Sequence, residues 1–288
     1  MRRILLLAAT MALALVLVGG VAISKQPQDQ PDKGSGSIPR STVVKASFAS
    51  GSGTNFLGVK VSDHGNLLSF ESPQGQENAF SDAEGYAVCS TQVDDETVGE
   101  RVNGHDTGSV FGGFAAPTFS QPNGAGTFPL TVTRRTIDGK FQLAQVWNKP
   151  DTVEKDLTVA MTLKNISSAP INGVFLSRSG DFDVGSSSVD QGATTADSTW
   201  QWDDVSSSAD SSRVGTMLTA LTFGTSHFSR VEPRSAWVAA SGTRTGCFAT
   251  NNLATPTSVQ DLALRVTYDV GSFSAGQSKT VKFEYGRM

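Results

Sequence analysis

Apolar and polar residues alternate with a period of two over much of this chain. The clearest run is 156 to 164, where Leu157, Val159, Met161 and Leu163 share one face against Thr158, Ala160, Thr162 and Lys164. Successive side chains of an extended strand point to opposite faces, so this is the pattern of an antiparallel strand with one face buried. Asn165 to Pro170 reads as the turn that follows, and Val174-Phe175-Leu176 continues the sheet. Earlier, Val59 and Val61 and then Leu67 and Phe70 flank Asp63-His64-Gly65-Asn66, a turn-forming set that predicts a hairpin. Phe128, Leu130 and Val132 also fall at every second position, while Pro129 has no N–H for a ladder and puts this stretch at a strand start or sheet edge. Ile137-Asp138-Gly139-Lys140 predicts a turn before Phe141, Leu143 and Gln145 on one face. Leu262, Leu264, Val266 and Tyr268 alternate near the C-terminus; a connection from Ser272 to Ser278 leads to a last strand through Val281, Phe283 and Tyr285.

Beyond the N-terminal region, no segment keeps a helical period for more than about two turns. The best helical candidate, Val214 to Leu221, is weakened by Gly215 and its threonines. The chain is therefore expected to be all-β, a large antiparallel β-sandwich, since a sheet with one apolar face must bury it against a second layer. Its length exceeds one seven-stranded sandwich of about 100 residues, leaving one enlarged sandwich or two small ones.

The apolar run from Ile4 to Ile23 differs in kind. It follows Met1-Arg2-Arg3 and ends in small residues, so residues 1–24 read as a secretory signal with cleavage near Ala22 or Ser24. The competing reading is a retained membrane anchor, because about 20 apolar residues can span a bilayer. Either way the bulk of the chain is expected outside the cytoplasm: secreted, periplasmic or anchored at the envelope. Residues 25–41, KQPQDQPDKGSGSIPRS, have no apolar period and read as a flexible tether, so the sandwich domain is expected over 42–288.

Charge narrows the partners. The formal net charge is -4 and no basic cluster follows the signal, which argues against nucleic acid and against anionic membrane surfaces. Membrane contact is expected only through residues 4–23, if they are retained. Cys89 and Cys247 are the only cysteines, and in an oxidising space a single disulfide is their simplest use. Such a bridge would tie early chain to late chain and favours the single enlarged sandwich. Three scattered histidines show no ligand spacing.

Candidate chemistry concentrates between Arg178 and Arg213, a stretch with seven Asp, no Lys or Glu, and Trp200 and Trp202. Most connections in compact domains are about four to six residues, so a loop of this size would be a functional one or disordered, and within it Thr199 to Trp202 reads as a short strand. Asp181 and Asp183, with Gly185 after them, could offer oxygen ligands to Ca²⁺, although the full EF-hand pattern is absent; the alternative is carboxylates that cap turns. No other cofactor has an identifiable ligand set. Trp200 and Trp202 lie on the same side of an extended segment, which suits either a ligand platform completed by Asp203 and Asp204 or packing between sheets. Gly108 to Phe128 interleaves Phe111, Phe114, Phe119 and Phe128 with Gly and Pro, the pattern of a loop folded over an open end or of a contact surface.

The reading these features support is an exported structural or binding protein of the envelope or extracellular space, with carbohydrate or an envelope protein as its partner. The alternative is a sugar-active enzyme, an epimerase or glycoside hydrolase, on a large β-sandwich. No G-x-S-x-G element or phosphate-binding glycine loop is present, and scattered acids do not define a pair.

Overall fold

The computed structural model describes residues 43–76, 84–94, 97–107, 110–182, 190–203, 215–233 and 261–287. Outside them lie the segments read as signal or anchor (1–24) and as tether (25–41), together with Asp183, Asp204, Trp237 and Cys247. Among the described residues there are strands and one 3-10 turn, Gly53–Asn55, but no α-helix.

The strands form three antiparallel sheets. The largest has eight strands, in the order β12 (Asp190–Thr194), β13 (Ser198–Asp203), β14 (Gly215–Ala220), β17 (Ser278–Arg287), β10 (Asp156–Asn165), β9 (Phe141–Trp147), β8 (Leu130–Arg135) and β7 (Thr118–Ser120). A six-stranded sheet runs β15 (His227–Pro233), β16 (Leu262–Phe273), β11 (Ile171–Asp181), β4 (Glu84–Asp94), β5 (Thr97–Thr107) and β6 (Val110–Gly112). The third has three strands, β1 (Val44–Ser50), β2 (Leu57–Ser62) and β3 (Leu67–Glu71). One contiguous apolar core draws on all three sheets, from Val59 and Phe70 through Val88 and Leu264 to Val159 and Phe283. The architecture is thus an antiparallel β-sandwich, as the alternation predicts.

In β10, Leu157, Val159, Met161 and Leu163 are fully buried while Thr158, Ala160 and Thr162 are only partly so. Phe141, Leu143, Gln145 and Trp147 likewise form the inner face of β9. Pro129 stands immediately before β8, where its missing N–H costs no ladder bond. Residues 215–220, the weak helical candidate, are strand, because β13 and β17 supply ladder partners on both sides of a segment whose Gly and Thr give little helix propensity. The Asp-rich stretch holds more strand than the Thr199–Trp202 segment expected there: Arg178 to Asp181 belong to β11, and β12 and β13 pair as a hairpin at the edge of the eight-stranded sheet. The phenylalanines of Gly108 to Phe128 divide: Phe114 and Phe128 are buried, whereas Phe119 on edge strand β7 stays exposed.

The centre of the sandwich is polar. Arg178 is fully buried on the inner face of β11. Its Nη2 donates to Glu84 Oε1 at 2.6 Å and to the Gly65 carbonyl at 3.1 Å, its Nη1 to Gln145 Oε1 at 2.7 Å, and its Nε to the Tyr285 hydroxyl at 2.6 Å. The guanidinium lies over the Trp147 ring, 4.6 Å from its centroid. Glu84 Oε2 accepts the Leu67 N–H at 2.7 Å, and burial raises the Tyr285 phenol well above its ordinary pKa, keeping it a donor to Glu84. The expected hairpin turn is part of this network rather than a surface feature. Ser62 to Asn66 enters between the two larger sheets, where the His64 carbonyl accepts from Tyr86 Oη at 2.7 Å and Gln145 Nε2 at 3.3 Å. A buried charge pair of this kind persists only when its remaining donors and acceptors are also satisfied.

Candidate functional site

The outer face of the eight-stranded sheet carries the aromatic pair singled out above. On β13 the inward side chains are Thr199 and Gln201, both fully buried, and Thr199 Oγ1 donates to the Arg230 carbonyl at 3.0 Å. Neighbouring Gly192 lies so close to the facing sheet that a Cβ there would sit 2.6 Å from Val231 Cγ1. Trp200 and Trp202 therefore point the other way, outward, and are only partly buried. Packing between the sheets, the alternative for this pair, is not where the structure puts it.

Register extends the site across the sheet. Trp200 stands opposite Ala193 on one side and Met217 on the other; Met217 pairs with Gly286, and Gly286 with Asp156. The next outward row is Ser198, Thr219, Glu284 and Thr158. Two aromatic rings and a thioether thus lead onto a floor of small and hydroxyl side chains with two carboxylates in it. Met217, Asp156 and Glu284 were missed at the sequence level, although the outward parity of the 156–164 and 281–285 patterns places Asp156 and Glu284 on one sheet face.

Burial raises the carboxyls of Asp156 and Glu284 above the ordinary range. The charges of Asp151 and Glu154 add to this at Asp156, and those of Asp156 and Glu154 at Glu284. A carboxyl that holds its proton more tightly in the folded state favours folding below its unfolded pKa, near pH 4, and that contribution is lost as pH rises through the folded value. Glu284→Gln should therefore be at least as stable as the parent at about pH 7, by a gain under about 1 kcal/mol at this half-exposed position. The gain should vanish towards about pH 4. Urea unfolding at the two pH values checks this, and a variant less stable at neutral pH would contradict it.

The other expected site residues do not join the tryptophans. Asp181 is buried at the end of β11, on the outer face of the six-stranded sheet and so on the opposite side of the sandwich. Its intended companion Asp183 lies outside the described residues, and among those described no three His, Cys, Asp or Glu side chains are grouped to hold a metal ion. Asp203 closes β13 opposite Asp190, and Asp204 lies outside the described residues. Cys89 is fully buried on β4 beside Phe175; Cys247 lies outside the described residues.

No protein-family model matches this sequence, and no curated protein matches it. Among solved structures the chain is similar to a bacterial glucoamylase complexed with acarbose, at 8% identity and a TM-score of 0.51, over 87% of this chain and 34% of that one. It is also similar to a polysaccharide lyase at 9% identity and a TM-score of 0.37, over 86% of this chain and 33% of the lyase. The chain spans about a third of the length of either protein. The likeness to the glucoamylase is one of β-sandwich fold.

Proposed function

We propose that this protein binds carbohydrate on the outer face of its eight-stranded sheet, as an exported structural or binding protein. The observation that carries the reading is the inverted face of β13, where Thr199 and Gln201 are buried while Trp200 and Trp202 face out. Two large rings on the outward side, each partly buried, keep some apolar surface that a ligand would cover on binding. A sugar ring offers an apolar face of C–H groups to an indole and a rim of hydroxyls to Ser198, Thr219 and the nearby carboxylates.

The test is a panel of neutral oligosaccharides measured by calorimetry. Trp200→Ala and Trp202→Ala should each weaken the best ligand about tenfold, equivalent to about 1.4 kcal/mol. A parent protein that binds no member of the panel, or tryptophan variants that bind as the parent does, would sink the proposal. Export rests on Arg2-Arg3 and the apolar run behind them. Recovery from outside the cytoplasm of chains starting near residues 23–25, with no titratable thiol after denaturation without reductant, would support both the address and a Cys89–Cys247 bridge.

A further inference from the structure

Strand β14 stops at Ala220, and among the described residues no strand continues it beside β17. The chain runs on beside β17 for two residues, with the Leu221 N–H donating to the Lys282 carbonyl at 3.0 Å and the Lys282 N–H to Thr222 Oγ1 at 2.9 Å. It then turns away from β17, and among the described residues no strand pairs with the next stretch of β17 on that side. A groove of about 460 Å³ opens there, lined by Thr225, Ser226, Asp269, Lys279 and Thr280 among others. Alternation along the strand turns the Thr280 peptide to the same side as that of Lys282, towards the groove.

The residue just before the groove's lining at Gly224 is Phe223, 73% exposed. The loop that carries it is pinned on both sides: the Thr222 N–H donates to the Tyr268 hydroxyl at 2.9 Å, the Thr225 N–H to the Thr222 carbonyl at 3.2 Å, and the Thr225 carbonyl meets His227 Nδ1 at 2.8 Å. A phenyl ring so exposed on a fixed turn forgoes burial against the described residues. An exposed ring in the loop that leads into a groove with the hydroxyls of Thr225, Ser226 and Thr280 repeats the chemistry of the tryptophan end.

Strand β17 links the two ends, and Thr280 belongs both to its outer face and to the rim of the groove. From Gly286, in the Trp200 row, to Thr280 is six residues of β17, about 20 Å of strand. The outward side chains between and beside them are short ones, Thr158, Ala160 and Thr162, with Thr162 Oγ1 and Thr280 Oγ1 2.8 Å apart; Lys282 and Glu284 are the long exceptions. We propose that the sheet takes an extended neutral oligosaccharide lying along β17, gripped by Trp200 and Trp202 at one end and by the Phe223 groove at the other. This deepens the carbohydrate reading and rests on it. The opposite charges of Glu284 and Lys282 on this face suit a neutral chain of hydroxyls better than a polyanion.

The experiment titrates the full protein with α-1,4-glucose, β-1,4-glucose and β-1,4-mannose oligomers, each from disaccharide to heptasaccharide. Affinity for at least one series should rise with length. Phe223→Ala should weaken the heptasaccharide of that series about threefold to tenfold and leave the disaccharide unchanged, whereas Trp200→Ala weakens every length. Phe223 is exposed, so its variant should melt with the parent. Affinity that does not depend on length, or a Phe223→Ala protein that binds the heptasaccharide as the parent does, overturns the extended site while leaving Trp200-dependent binding intact. Failure of every oligomer to bind overturns both.

Discussion

Arg178→Met is expected to destabilise the protein by about 3–5 kcal/mol, the usual result of removing one partner from a buried charge pair. The guanidinium is fully buried and satisfies Glu84, Gln145, the Gly65 carbonyl and the Tyr285 hydroxyl together. Methionine would fill much of the space but leave the Glu84 carboxylate in an apolar surround, with only the Leu67 N–H and Tyr285 to support it. Combining Arg178→Met with Glu84→Gln should therefore cost much less than the two single changes added together, because no charge is then stranded. Urea unfolding of the four proteins measures the coupling. A single variant within about 1 kcal/mol of the parent, or strict additivity, would show that the network contributes no cooperativity.

Gly65→Ala is the second large effect. Gly65 has φ +81, and a Cβ there would stand 2.5 Å from Gln145 Nε2. The left-handed backbone alone costs a non-glycine residue about 1–2 kcal/mol. Pushing Gln145 aside also takes the acceptor from Arg178 Nη1, and a charged donor left unpaired in the interior adds about 1–3 kcal/mol. The sum is a loss of about 2–5 kcal/mol. Gly75→Ala is the control, since Gly75 has φ +85 but no atom within 4 Å of the added carbon. Equal losses at the two glycines would mean that the contact with Gln145 carries no weight.

Much of this fold was legible because hydrophobic alternation reports burial directly. Strands β8, β9, β10 and β17 keep that signal, and each forms where it predicts. Strand β12 lacks it and β13 shows it only through Trp200 and Trp202, because their buried residues include Gly192, Thr199 and Gln201. Arg178 was hidden for a related reason: a lone arginine followed by Ser-Gly-Asp looks like the start of a loop. The inward parity of Val174 and Leu176 would have placed it in the core, as Phe141 and Leu143 do for Gln145. Tyr86 and Val88 share the parity of Glu84 and mark its side as the inner one in the same way. At the candidate site the spacing of Trp200 and Trp202 gave their common side but not which side, since that depends on the sheet across the interior.

The hydrogen bonds of Arg178 also set when the molecule can fold. They reach back 94 residues to Glu84 and 113 to Gly65, and forward 107 to Tyr285. The opening hairpin and the final strand thus meet at one guanidinium, and no shorter stretch of chain can close the interior. Contacts so distant in sequence slow two-state folding into the range of about milliseconds to seconds. A nascent chain must be complete through Tyr285 before this network has all its partners, which would leave it pliable for the membrane passage proposed above.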